Sequence, residues 1–320
     1  MKKFKVLFIT GHRKSGTSML NNLFDGHEDF LVYPNDISIL YAYYPNFIGN
    51  KFSFMRKKKR LMTVIKKSLE KTTKNNLFDK KLFLNLIGKD VNSKNIDRIE
   101  LILKLILKNF IISSKKKKFQ YVVFKETSLG VFIEEISKWF KDVKFIQVIR
   151  DPRDNFSSLK SGYKKYYKKI GESKKMLLSS MINRALLDFE TIDYNYKLLG
   201  KENFYFLKFE ELVLNPKTQL KKICKFLRVK FNNILLLPTV LGKNVRGNNF
   251  EGKKLFKISG LNVGKWKKRL DKSEIEIIEF YFKSVLKKFN YKKTGSCTMK
   301  FLREHYIWLN NRLYFNDSFK

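Results

Sequence analysis

An α/β fold, a parallel sheet flanked by helices with a Lys-rich helical insertion, is the architecture this sequence predicts. Short apolar runs at Lys5–Thr10, Tyr121–Phe124, Lys144–Ile149 and Asn203–Phe209 alternate with stretches of helical spacing. The runs are near-continuously apolar, as strands buried on both faces are. The first run ends in a Gly-containing loop that opens a helix, a strand–loop–helix order typical of parallel α/β folds. At 43% hydrophobic and 15% aromatic, the 320 residues can bury a sizeable core, which excludes a wholly disordered basic chain.

Taken in order, Lys5–Thr10 is a strand rather than a secretory leader, because its apolar stretch from Val6 to Ile9 is too short. No uncharged apolar stretch reaches the roughly 18 residues of a membrane span, so a cytoplasmic location is expected. A helix follows over Ser18–Phe24. Residues 51–118 hold 21 Lys/Arg against 5 Asp/Glu and no Pro. They include Arg56-Lys-Lys-Lys-Arg60 and Lys115–Lys118, while Leu101, Ile102, Leu105 and Ile106 form an apolar face. This spacing predicts a helical insertion with solvated basic faces. The strand Tyr121–Phe124 leads to a helix over Val131–Phe140, the strand Lys144–Ile149 to a helix from Asn155, and 176–198 reads as helical. Asn203–Phe209 is the next strand, with a helix over Pro216–Leu227. Ser273-Glu-Ile-Glu276 has the pattern of a capping box and opens a helix to about Phe289. Residues 1–294 are expected to form one domain, and 295–320 an appendage.

The 68 Lys+Arg against 29 Asp+Glu give a net charge of +39. Such a chain attracts an acidic partner: nucleic acid, anionic lipid, anionic glycan or nucleotide. Most of the excess is Lys scattered along the chain, which bias in composition also produces. Three His and the distant Cys224 and Cys297 offer neither a zinc site nor a disulfide scaffold.

Two motifs carry chemistry. The first is Gly11-His-Arg-Lys14-Ser15-Gly16-Thr17-Ser18, where backbone N–H groups and a helix amino end can cradle an anion. Against the nucleoside-triphosphate loop G-x-x-x-x-G-K-[ST], both glycines fit but Thr17 takes the Lys position. A cradle that needs no Mg²⁺ fits better than a kinase. The second is Val148-Ile-Arg150-Asp-Pro-Arg-Asp154-Asn-Phe-Ser157-Ser158. It delivers Arg150 at a strand end and Ser158 on the next helix, a second phosphate site at the sheet's carboxyl edge.

Together these segments resemble the sulfotransferases that use 3′-phosphoadenosine 5′-phosphosulfate (PAPS), enzymes of a P-loop-like fold. The resemblance extends through Gly26-His27-Glu-Asp, Phe206-Leu-Lys-Phe209-Glu-Glu-Leu212 with Asn215-Pro-Lys, and Lys257-Ile-Ser259-Gly260 with Gly264-Lys-Trp266. It covers residues 6 to about 270, leaving aside 51–118 and the tail. It implies that Arg13, Lys14, Ser15, Gly16, Thr17 and Ser18 bind the 5′-phosphosulfate, and that Arg150 and Ser158 bind the 3′-phosphate. Phe209 stands where many members stack a Tyr on adenine. Ser259 and Gly260 replace a frequent basic pair of the closing segment, and Met19 replaces the aromatic residue of small-molecule enzymes.

The resemblance also implies catalytic roles for Lys14, at the leaving phosphate, and Lys125, at the end of a strand. The small-molecule members' His is Thr127 here. Glycan- and tyrosine-directed members use a carboxylate beyond the first loop, so Asp36 is the first candidate base and Glu126 the second. His27 reads as structural and His12 as support for the loop. The expected activity is sulfonate transfer from PAPS, without a metal, to a hydroxyl of a glycan, glycolipid or protein, with transient contact to an anionic membrane surface possible. The rival is a nucleic-acid-binding protein on a degenerate nucleotide fold. It accounts for the charge but leaves the spacing of Arg150 and Ser158 unexplained, and base-stacking motifs are missing.

Overall fold

The structure is a computed structural model describing residues 4–44, 54–70, 72, 76–170, 173–245 and 257–295. Its centre is a parallel sheet of β1 (Lys5–Thr10), β2 (Phe30–Asp36), β3 (Tyr121–Lys125), β4 (Val143–Ile149) and β5 (Phe204–Lys208), in the order β2-β3-β1-β4-β5. Register brings the motif-bearing ends together. Ile9 lies opposite Lys125 on one side of β1, and Thr10 opposite Gln147 on the other. The loop after β1 therefore rises between the ends of β3 and β4.

Four strands are legible in the sequence; β2 is not. Its Phe-Leu-Val-Tyr-Pro-Asn-Asp run contains Pro34, and its register against β3 shifts between Val32 and Asp36. A proline is tolerated there because β2 is an edge strand with no ladder bond to donate outward.

Alternation along β1 splits the core. Val6 and Phe8 enter one apolar cluster, Leu7 and Ile9 the other. Helices α1 (Thr17–Phe24), α10 (Phe209–Leu214) and α11 (Pro216–Leu227) belong to the second. The first takes in α2 (Ile39–Tyr43) and the three helices of the basic region, α3 (Lys57–Ser68), α4 (Lys80–Ser93) and α5 (Ile99–Ser113). Phe83 and Phe110 pack edge-on against Tyr33 of β2, with ring centroids 6.0 and 5.2 Å away. Each such buried ring contributes about 1.5–3 kcal/mol over an exposed one. The basic region is thus bound to the sheet by its apolar faces, while Lys58, Lys59, Lys66, Lys104 and Lys108 stay exposed.

The remaining helices are α6 (Ile133–Trp139), α7 (Pro152–Ser161), α8 (Lys174–Ser180), α9 (Leu186–Asn203), α12 (Trp266–Arg269), α13 (Lys272–Tyr281) and α14 (Lys283–Lys288). Three local expectations need correction. Helix α7 starts at Pro152 rather than Asn155, because Asp151 caps it through the Arg153 N–H. The predicted helix over 176–198 is interrupted by a π-helical turn, Met181–Ala185. The capping box is Asp271 with Glu274, whose side chains accept from each other's backbone N–H, and Ser273 instead donates to Asp271. A carboxylate two residues upstream outcompetes the hydroxyl for the cap. Among the described residues, no helix is long and apolar enough to cross a membrane. From residue 296 the expected appendage lies outside the described residues.

Candidate active site

The loop after β1 is shaped by three residues with positive φ: Gly11 (141°), Lys14 (69°) and Gly16 (107°). A Cβ at Gly11 would stand 2.2 Å from the Val148 carbonyl oxygen, and one at Gly16 would stand 2.3 Å from Cδ2 of Phe209. Both glycines are thus required by close approach as well as by conformation. Gly16 is the N-cap of α1, and no side chain caps that helix end. Its free N–H groups and positive dipole end face whatever the loop holds. Such a nest suits a phosphate or a sulfonate.

Arg150 leaves β4 and comes against this loop. Its Nη1 donates to the Lys14 carbonyl (3.0 Å) and its Nη2 to that of Asn262 (2.7 Å). Its guanidinium lies 4.5 Å from the centroid of the Phe209 ring. Burial presses the arginine's pKa down, while the charges of Asp154 and Glu210 hold it up. Phe209 is itself buried between Gly16 and Arg150. It braces both motifs, unlike the open stacking platform the resemblance implies. Ser158 is half-buried on α7, two turns from the strand that carries Arg150.

The closing segment is tied down by Asp154, which accepts from the N–H groups of Gly264 (2.6 Å) and Trp266 (3.0 Å). Burial pushes the Asp154 carboxyl up, against the pull of Arg150 and these two N–H groups. Arg153 adds to the anchor: it pairs with Asp151 and Glu279 and sits 4.1 Å over the Trp266 ring. Ser259 accepts from the Leu261 N–H, and a Cβ on Gly260 would meet Leu214 at 2.9 Å. These two therefore shape the segment, and its Asn262 carbonyl is what touches Arg150.

On the other side of the loop, Lys125 at the end of β3 is ion-paired with Asp36 at the end of β2. The Lys125 carbonyl also accepts from the Ile37 N–H (3.0 Å), which fixes the two strand ends together. The Asp36 side chain keeps 22% exposure, whereas Glu126 is fully buried. Glu126 accepts from the Ile39 N–H (3.0 Å). Burial first, then the charge of Asp36, pushes its carboxyl well above the usual range. Of the two candidate bases, Asp36 is the more exposed.

His27 accepts from the Asp29 N–H and bonds the Lys230 carbonyl, holding the turn after α1. Buried His12 is kept neutral by desolvation and by the charges of Arg184 and Arg13. Among the described residues, no three His, Cys, Asp or Glu side chains gather as metal ligands.

The sequence profile described as the sulfotransferase family matches residues 7–233. The chain belongs to the sulfotransferase family. The match spans the basic region that motif comparison left aside. Solved structures agree in fold with this sulfotransferase. The sulfotransferase domain from the curacin biosynthetic pathway aligns with a TM-score of 0.59 at 17% identity, over 92% of this chain and 100% of that one. The sulfotransferase domain of the Synechococcus PCC 7002 olefin synthase aligns at 0.55 and 15% identity, over 92% and 98%. Sulfotransferase STF9 from Mycobacterium avium aligns at 0.50 and 12%, over 92% and 79%. A search of curated proteins found no match.

The sulfotransferase contains site features that motif reading missed. Asp154 and Arg153 were legible as part of a motif, but their attachment to a segment 110 residues away was not. Asp188, buried behind the loop, sits in an ordinary helical stretch and gives no local signal.

Proposed function

We propose that this sulfotransferase moves a sulfonate group from PAPS to a hydroxyl of a glycan, glycolipid or protein. The observation that supports the reading is the direct bond from Arg150 to the Lys14 carbonyl, which brings the two motifs into contact. The loop and the amino end of α1 would hold the 5′-phosphosulfate, while Arg150 and Ser158 would face the 3′-phosphate. Lys14 stands where negative charge grows on the leaving phosphate.

In the transfer, the acceptor oxygen attacks sulfur in line with the leaving phosphate oxygen, forming an S–O bond as the bridging one breaks. Asp36 takes the acceptor's proton, and Lys125 holds that carboxylate at the crevice. The partly open Asp36 supports a bulky hydroxyl acceptor. With the family established, the nucleic-acid-binding alternative has only the net charge in its favour.

The test has two arms. Adenosine 3′,5′-bisphosphate should raise the melting temperature more than AMP or ATP with Mg²⁺ at equal concentration. Equal shifts would remove the case for a second phosphate site. Transfer of labelled sulfonate from PAPS should then be screened against polysaccharide, glycolipid and peptide acceptors, and labelled RNA binding without transfer would favour the alternative.

A further inference from the structure

Behind the phosphate loop lies a small cavity, on the face of the sheet opposite α1. His12 and Ser15 of the loop line it, together with Arg150 from the end of β4, Asn155 of α7, Met181 of the π-turn and Asp188 of α9. The polar groups that border it are incompletely paired. Both ring nitrogens of His12, Oγ of Ser15, Oδ1 of Asn155 and Oδ2 of Asp188 are buried with no hydrogen-bond partner among the described residues. A buried polar group left without a partner is destabilising. Five such groups around one cavity are the polar partners that a buried water needs.

We propose that this cavity is a buried polar relay in which water joins His12 and Ser15 to Asn155 and Asp188, making Asp188 a positioning residue for the phosphate loop. The inference rests on the reading of that loop as the nucleotide site. Asp188 is held from three sides. Its carboxylate accepts from the Gly130 N–H, its backbone carbonyl accepts from Gln147 of β4, and Arg184 acts on it from the π-turn. The charged or titratable groups lining the cavity are His12, Arg150 and Asp188 itself. Arg184 and Arg13 act on His12 from outside it.

Two of these groups are displaced in opposite senses. Burial raises the Asp188 carboxyl to about 7, against the pull of Arg184 and the Gly130 N–H. Burial and the two arginines lower His12, so its ring is neutral. Below about pH 7 a protonated Asp188 donates into the cavity, and Arg150 is the charge left on its lining. Above it, a carboxylate lies behind N–H groups that must face an anion. A bound phosphate therefore raises the Asp188 pKa, the complex takes up a proton, and affinity falls as pH rises.

The experiment measures binding of adenosine 3′,5′-bisphosphate to the full chain from pH 6.5 to 8.5, above the second ionisation of phosphate at about 6. The wild-type dissociation constant should rise about 2.5- to six-fold across the range, as expected for a pKa near 7 raised by roughly half to one unit. Asp188→Asn mimics the protonated form and should show a flat profile at the tighter value. Parallel profiles for the two proteins would overturn the relay while leaving the nucleotide site standing. No binding at any pH would overturn both. A second measurement uses the unmodified protein, should the variant not fold. Calorimetry at pH 7.5 in buffers of different ionisation enthalpy should show net proton uptake on binding, and zero uptake or release would refute the relay.

Discussion

The two flanks of the phosphate loop are held by different means. On the β4 flank, Arg150 is fixed by two backbone carbonyls and a ring, and Asp154 fixes the closing segment through two backbone N–H groups. On the β3 flank, the contact that matters is between two charged side chains, Lys125 and Asp36, with a second carboxyl buried beside them. Backbone partners stay in place whatever side chains do, so the first flank suits tight binding of an unreactive phosphate. Side-chain charges respond to protons, which suits the second to chemistry. On the proposed reading, the first flank would carry affinity and the second turnover.

The largest expected effect strikes the loop shared by both. Gly11→Ala drives a Cβ into the Val148 carbonyl at a positive φ. It should cost about 3 kcal/mol or more of stability and abolish nucleotide binding, as read by denaturant melts and calorimetry. Retained binding would show that the loop can relax around a side chain. Next, Lys125→Met and Asp36→Asn should each lower kcat about 100-fold or more, with the dissociation constant of adenosine 3′,5′-bisphosphate within a few-fold of wild type. A large loss of affinity in either would blur the division between the flanks.

Arg150→Ala should show the opposite split. Nucleotide binding should weaken by about 1.5–3 kcal/mol, on the order of 10–100-fold, because charge-assisted bonds are lost from a buried site. Glu126→Gln sharpens the second flank. Because the Glu126 carboxyl is raised, the stability tied to its proton is present at low pH and is lost as pH climbs through the folded pKa. The variant should keep activity within a few-fold and melt higher than wild type at alkaline pH, with the two converging below about pH 4. Loss of activity would instead make Glu126 the base.

The smallest effect on folding is expected on the basic helices. Replacing exposed Lys58, Lys59 and Lys66 with Gln should change stability by less than about 0.5 kcal/mol. It should lower turnover on an anionic acceptor only at low salt, since exposed charges act through a screened field. Turnover insensitive to salt would return these lysines to composition.

The sequence by itself determined the parts that short-range chemistry controls. Continuous apolar runs marked four strands, and Gly11 and Gly16 marked a loop no other residue could close. Because the sheet is parallel, naming those strands also brought Lys125, Arg150 and the loop to one edge. Only the tertiary structure decided what depends on neighbours distant in the chain. Strand β2 was hidden by Pro34, which the sheet's edge alone excuses. Burial set partly exposed Asp36, the first candidate, apart from Glu126, the second, which has no exposure at all. Asp188 is an ordinary helical aspartate until α9 packs behind the loop and removes its water, and desolvation then moves a carboxyl's pKa to about 7.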